Sequence, residues 1–177
     1  MSQLDIEHAG TDSTASTPRT DIRAVLDGLL AQRVLVLDGA MGTMIQGLEL
    51  TEQDFRGELE VRGSSQLAGN NELLSLTRPD LIRAIHDQFF EAGADIVETN
   101  TFSATTVAQS EYGTEGLARE LNLASARVAR ESADAWTART PDRPRFVAGA
   151  VGPTAKTLSL SPDVNDPGFR AVTFDQV

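Results

Sequence analysis

The sequence predicts an α/β fold built on a parallel sheet, either doubly wound or closed as a (β/α)8 barrel. Three observations carry this. Short apolar runs occur at Val34–Asp38, Asp95–Asn100 and Arg145–Val151, and each leads into a polar or glycine-bearing turn. Stretches with the apolar spacing of a helix precede the first run and fill the intervals between the runs. Strand, helix and second strand in that order make a βαβ unit, whose strands lie parallel and whose crossover is normally right-handed.

Residues 1–20 are rich in Ser, Thr, Asp and Gly and almost lack large apolar side chains, so a disordered tail is expected there, with the folded domain at 21–177. Ile22, Val25, Leu26, Leu29 and Leu30 fall at i, i+3, i+4, i+7 and i+8, and Thr20 or Asp21 can cap that helix. Val34 to Leu37 then read as a fully buried parallel strand that ends on Asp38 and breaks into the turn Gly39–Gly42. A short helix is expected after the turn, followed by an irregular loop running through Gly63-Ser64-Ser65 to Gly69-Asn70-Asn71. Loops of that length are uncommon in compact domains unless they serve a function.

Pro79 suits the first turn of the next helix, with Leu81, Ile82, Ile85 and Phe89 on one face and Gly93 as the stop. His86 sits at the edge of that face, where a packing role outweighs a ligand role. A long helix is expected over 114–138, with Leu117, Leu121, Ala124, Val128 and Ala135 on one side and Glu115 near its positive end. After the third run, the small residues Ala148, Gly149 and Ala150 permit close approach of a ligand or another backbone. The last 24 residues read as a loop, with the beginning of a helix from Phe169.

Composition narrows the function classes. The net charge is −11 without a basic cluster, which argues against nucleic acid and anionic membranes as partners. No apolar run approaches the ~20 residues of a membrane span, and no signal peptide is visible, so a cytoplasmic location is expected. With no cysteine, the chain has neither disulfides nor thiolate metal ligands, and its two histidines cannot supply three zinc ligands. The turn after Asp38 lacks the lysine and spacing of a P-loop, and neither a dinucleotide fingerprint nor a nucleophile elbow follows a strand.

What remains is a set of polar groups at three strand exits: Asp38, then Glu98, Thr99 and Asn100, then the Gly149–Thr154 turn. Carboxylates beside backbone N–H groups suit an amino acid, pairing with its ammonium and carboxylate respectively. Spacing alone leaves a second reading open, in which Asp38 caps its turn and Glu98 forms a buried ion pair.

Four segments occur together and in order: Leu37-Asp38-Gly39-Ala40-Met41-Gly42-Thr43, Gly69-Asn70-Asn71-Glu72, Glu91–Asp95 with Glu98-Thr99-Asn100-Thr101-Phe102, and Val147–Thr154. Over residues 22–177 the chain resembles the N-terminal homocysteine-binding region of cobalamin-dependent methionine synthases. Ser161–Pro167 and Thr173-Phe174-Asp175 are more similar to those enzymes than to the shorter betaine-type relatives, whereas Ala155 departs from the polar residue expected there.

The resemblance implies the N-terminal part, about three strands, of a (β/α)8 barrel that binds homocysteine. It also implies zinc held by three cysteines of later strands, and methyl transfer from methyltetrahydrofolate through cobalamin bound by other domains. By position, Asp38 and the Gly39 backbone would hold the amino-acid end of homocysteine and Thr99 would line the pocket, with Glu98 and Asn100 as further candidates. Neither zinc nor cobalamin is expected to bind this chain alone, which is expected to be an inactive fragment. The alternatives are a fragment of a cobalamin-independent enzyme using betaine or S-methylmethionine, or a non-catalytic barrel half that assembles with a partner.

Overall fold

The structure is a computed structural model that describes residues 21–61, 66–154 and 156–177. The expected tail at 1–20, the Gly63-Ser64-Ser65 part of the loop and the departure at Ala155 lie outside the described residues. The chain divides after Val34 into two units. The described part of the first is helix α1 (Ile22–Leu30), capped by Asp21, whose carboxylate accepts the Arg23 and Ala24 N–H groups.

The second unit, Leu35–Val177, keeps the expected alternation of helix and strand, but only the second and third expected strands form as strands. Helix α5 (Pro79–Ala92) leads into strand β1 (Ile96–Glu98), and helix α7 (Ala118–Arg139) leads into strand β2 (Phe146–Ala148). The two strands pair in parallel, Val97 opposite Val147. Upstream of α5, the 35–38 segment lies along β1: Leu37 bridges Ile96 in parallel, and Asp38 N–H donates to the Ile96 carbonyl at 3.0 Å.

The first run departs from its expectation. It pairs in parallel, but through a single bridge, and Val36 and Leu37 are 51% and 49% exposed rather than buried. Its apolar character suits an interior strand; here it lies at the sheet edge, and among the described residues no strand pairs with its other side.

The helices explain themselves locally. Pro79 opens α5, and Gly93 ends it in the left-handed region at φ 107, which a side chain disfavours. Ile82, Ile85 and Phe90 are buried beneath α5, and α7 meets that face with Leu121, Ser125, Ala129, Ser132 and Ala133. These mostly small residues let the helix axes approach. The buried face of α7 is thus rotated from the expected one, since Ala124 and Ala135 are only half-buried. A 3₁₀ turn at Glu115–Leu117 precedes α7, so the α-helix begins later than predicted.

Helix α2 (Met41–Gln46) follows the glycine turn as expected, but the segment beyond it is not wholly irregular. Glu52–Arg56 form helix α3, a 3₁₀ turn covers Asn71–Leu73, and α4 spans Leu74–Thr77. The signal for α3 was the capping box Thr51-x-x-Asp54: the Asp54 carboxylate accepts both the Thr51 N–H at 2.9 Å and its hydroxyl at 2.7 Å. Residues 156–177 form the expected loop, but the helix expected from Phe169 does not form: the segment carries only a 3₁₀ turn at Phe174–Gln176. Ser161, Asp163 and Asp166 hold it through short-range bonds to nearby backbone groups.

Candidate active site

At the carboxyl ends of the parallel segments a cavity of about 480 Å³ opens, bordered by Asp38, the Gly39–Thr43 turn, Glu98, Thr99, Asn100 and Ala150. Asn71 and Glu72 add a further wall, and Glu111 and Tyr112, just past helix α6 (Thr106–Gln109), add another. All five sequence-predicted site residues are therefore brought to one cavity, but they stand there in different ways.

Asp38 is half-buried, and its Oδ1 accepts the Glu98 N–H at 2.8 Å, which ties the first strand exit to the second. Burial pushes its pKa up to about 6; the Glu98 N–H opposes that rise and the Glu98 carboxylate adds to it. Glu98 itself is exposed and forms no ion pair among the described residues, so the buried-ion-pair reading fails. Gly39 begins a turn in which Ala40, not a glycine, takes the left-handed conformation at φ 58. Such a backbone is costly without glycine, and it is held at the cavity wall.

Thr99 and Asn100 are buried and committed to the scaffold. Ala150 N–H donates to the Thr99 hydroxyl at 3.0 Å, and Thr101 Oγ donates to the Ala150 carbonyl at 2.7 Å. The 2.6 Å Thr99–Thr101 contact must then use the Thr99 proton, since that of Thr101 is already spent. The Asn100 amide donates to the Asn71 carbonyl at 2.8 Å and to Ser75 Oγ at 3.2 Å.

Sequence reasoning missed Glu72, Glu111 and Tyr112 as wall residues. Glu72 stands in a segment noted as a motif, yet nothing in its spacing from Asp38 shows that the chain returns it to the same cavity. A buried polar group makes that return: Asn70 and Gln109 exchange side-chain amide bonds at 2.8 and 3.1 Å, and Thr114 Oγ closes on Gln109 Oε1 at 2.7 Å. Four carboxylates, Asp38, Glu72, Glu98 and Glu111, thus border a cavity with no basic side chain among its described lining residues. Such a field favours a ligand bearing a cation.

The sequence model of the homocysteine S-methyltransferase family matches residues 35–177. The chain belongs to the homocysteine S-methyltransferase family. Among solved structures it is similar to the oxidized form of homocysteine methyltransferase MmuM from Escherichia coli, with 28% identity and a TM-score of 0.57 over 72% of this chain and 40% of that one. The metallated form of the same enzyme is similar at 27% identity and TM-score 0.55, covering 72% and 41%. This homocysteine S-methyltransferase family chain therefore spans about two fifths of the length of these relatives. Its α/β architecture, a small parallel sheet among many helices, is that of the matched structures.

One of the matched structures is a metallated form. The chain contains no cysteine, and no three His, Cys, Asp or Glu side chains among the described residues group as metal ligands. No helix of the described residues is long and apolar enough to cross a membrane.

Proposed function

We propose that this chain is the homocysteine-binding part of a homocysteine S-methyltransferase, with residues 21–177 forming the first strands of a (β/α)8 barrel. The observation that carries the reading is the acidic cavity at the strand exits, with Asp38 tied to the second exit through the Glu98 N–H. Family membership supplies the substrate, and the cavity supplies a counter-charge for its ammonium group. Asp38 and the Gly39 backbone hold the amino-acid end, and Glu98 faces the same space. Thr99 and Asn100 shape the pocket mainly by fixing the strand ends, because their side-chain donors are used within the protein, on Thr101 and on Asn71 and Ser75 respectively.

The methyl donor in this proposal is methyltetrahydrofolate acting through cobalamin, supported by the residues at 161–175. The family's zinc chemistry activates a thiol, but this chain lacks the thiolates that would hold the metal. Its own residues bind and orient homocysteine and do no more. The chain alone is accordingly expected to show no methyl transfer to homocysteine when supplied with zinc and methylcobalamin; steady methionine formation would contradict the proposal.

Asp38 provides a second test. An ammonium is held by the ionised carboxylate, so homocysteine affinity should rise between pH 5 and 7 as Asp38 loses its proton, and level off above. Calorimetric titration across that range is expected to show this rise for the natural chain, and weak, flat binding for Asp38→Asn. Equal affinity of the two proteins at pH 7.5 would remove Asp38 from the site.

A further inference from the structure

We propose that Glu72 is a substrate-binding residue that takes the α-ammonium group of homocysteine. This rests on the homocysteine reading above and adds a contact that the strand exits do not supply. Glu72 is 7% exposed and borders the cavity, on the 3₁₀ turn Asn71–Leu73. Its Oε1 accepts the Ser103 N–H at 2.8 Å, and among the described residues it has no salt-bridge partner and no second donor.

A carboxylate withdrawn from water to that degree is costly unless a positive or hydrogen-bonding group meets it. One backbone N–H answers one oxygen. Of the other carboxylates at the cavity, Asp38 and Glu98 have the same sign and worsen the balance, while Glu111 pairs with Lys156 at 3.8 Å. The pKa of Tyr112, on the same side of the cavity, is raised first by burial and then by the neighbouring Glu72 and Glu111 carboxylates. Compensation is therefore left to what enters the cavity, and an amino acid brings an ammonium with three N–H donors.

The placement of Glu72 is fixed from both sides. The Asn70–Gln109 amide pair precedes it, and Ser103, which holds it, is itself tied in because its carbonyl accepts the Gln109 amide at 3.1 Å. Phe102, the neighbour of Ser103, is pressed by Gly152, whose N–H donates to the Phe102 carbonyl at 3.0 Å; a Cβ at Gly152 would collide with that carbonyl and the Phe102 ring. The carboxylate is thus preorganised rather than mobile, as an ammonium contact requires.

The test is calorimetric titration of the full chain and of Glu72→Gln with two ligands, L-homocysteine and 4-mercaptobutanoate, which is homocysteine without its amino group. Glutamine keeps an acceptor for the Ser103 N–H and removes only the charge. Glu72→Gln should bind homocysteine about ten- to hundredfold more weakly and 4-mercaptobutanoate as well as or better than the natural chain does. Equal weakening for both ligands would overturn the assignment, since Glu72 would then act only by holding the Ser103 loop, and so would unchanged homocysteine affinity. If Glu72→Gln fails to fold, Glu72→Asp, which shortens the side chain and draws the charge back, takes its place: homocysteine weakened more than 4-mercaptobutanoate supports the assignment, and equal weakening or none overturns it. Failure of the natural chain to bind homocysteine at all would remove the functional reading and this assignment with it, whereas loss of the Glu72 effect alone leaves the functional reading standing.

Discussion

His86, on the buried face of α5, is fully buried, and neither ring nitrogen meets a hydrogen-bond partner among the described residues. Burial lowers its pKa to about 4 against a weaker opposing pull from Asp87. The unfolded chain therefore takes up this proton first, so the folded state is favoured above pH 6.5 and loses that advantage as pH falls towards 4. The loss amounts to about 3 kcal/mol over that window. Denaturant unfolding of His86→Leu should show a flatter pH dependence between 4 and 6.5 and a stability at pH 7 equal to or above that of the natural chain, because an unpaired buried polar group is removed. The sequence placed His86 at the edge of the apolar face and favoured packing; the packing role holds, while full burial depended on α7 closing over the helix, which no local pattern encodes. Asp38 was legible for a different reason: a carboxylate ending an apolar run stands out locally. Glu72 did not, because its burial is decided by Ser103, 31 positions later.

Among the elements, the strand–helix alternation was readable because period and punctuation are local: Pro79 and Gly93 bracket α5, and Ile96–Glu98 follows at once. The segment between Gly47 and Asn71 was less readable, since its helices are short and two of its anchors are distant. Glu52 on α3 accepts the Leu67 and Ala68 N–H groups at 2.8 and 2.7 Å, and Asn70 reaches Gln109 on α6. These bonds carry the cavity wall. Asn70→Ala removes two bonds of the buried Gln109 amide, leaving those to Thr114 and Ser103, and is expected to cost about 1–2 kcal/mol in equilibrium unfolding. It should also raise hydrogen exchange at Glu72 and Ser103 first, and uniform exchange across the chain would show that the wall is not held this way.

For the Leu35–Val177 unit as a whole, the sheet is the weak point. Val36 and Leu37 are half-exposed on the segment beside β1, and among the described residues β2 pairs only with β1. Unpaired strand edges with apolar side chains favour association with other chains. Light scattering should accordingly find concentration-dependent association of the natural chain, reduced in Val36→Lys; association unaffected by that change would place the sticky surface elsewhere. The high negative charge opposes association without covering these edges. Under the proposed function, charge and edge together describe a chain that offers an acidic cavity at its strand exits to an ammonium-bearing ligand beside an uncovered sheet edge.

The most direct test of that description is an amide-resolved NMR titration of the chain with L-homocysteine at pH 7.5. The account predicts saturable shifts concentrated at Gly39–Thr43, Asn71–Glu72 and Glu98–Ser103. Shifts centred elsewhere, or no saturable shift, would contradict it.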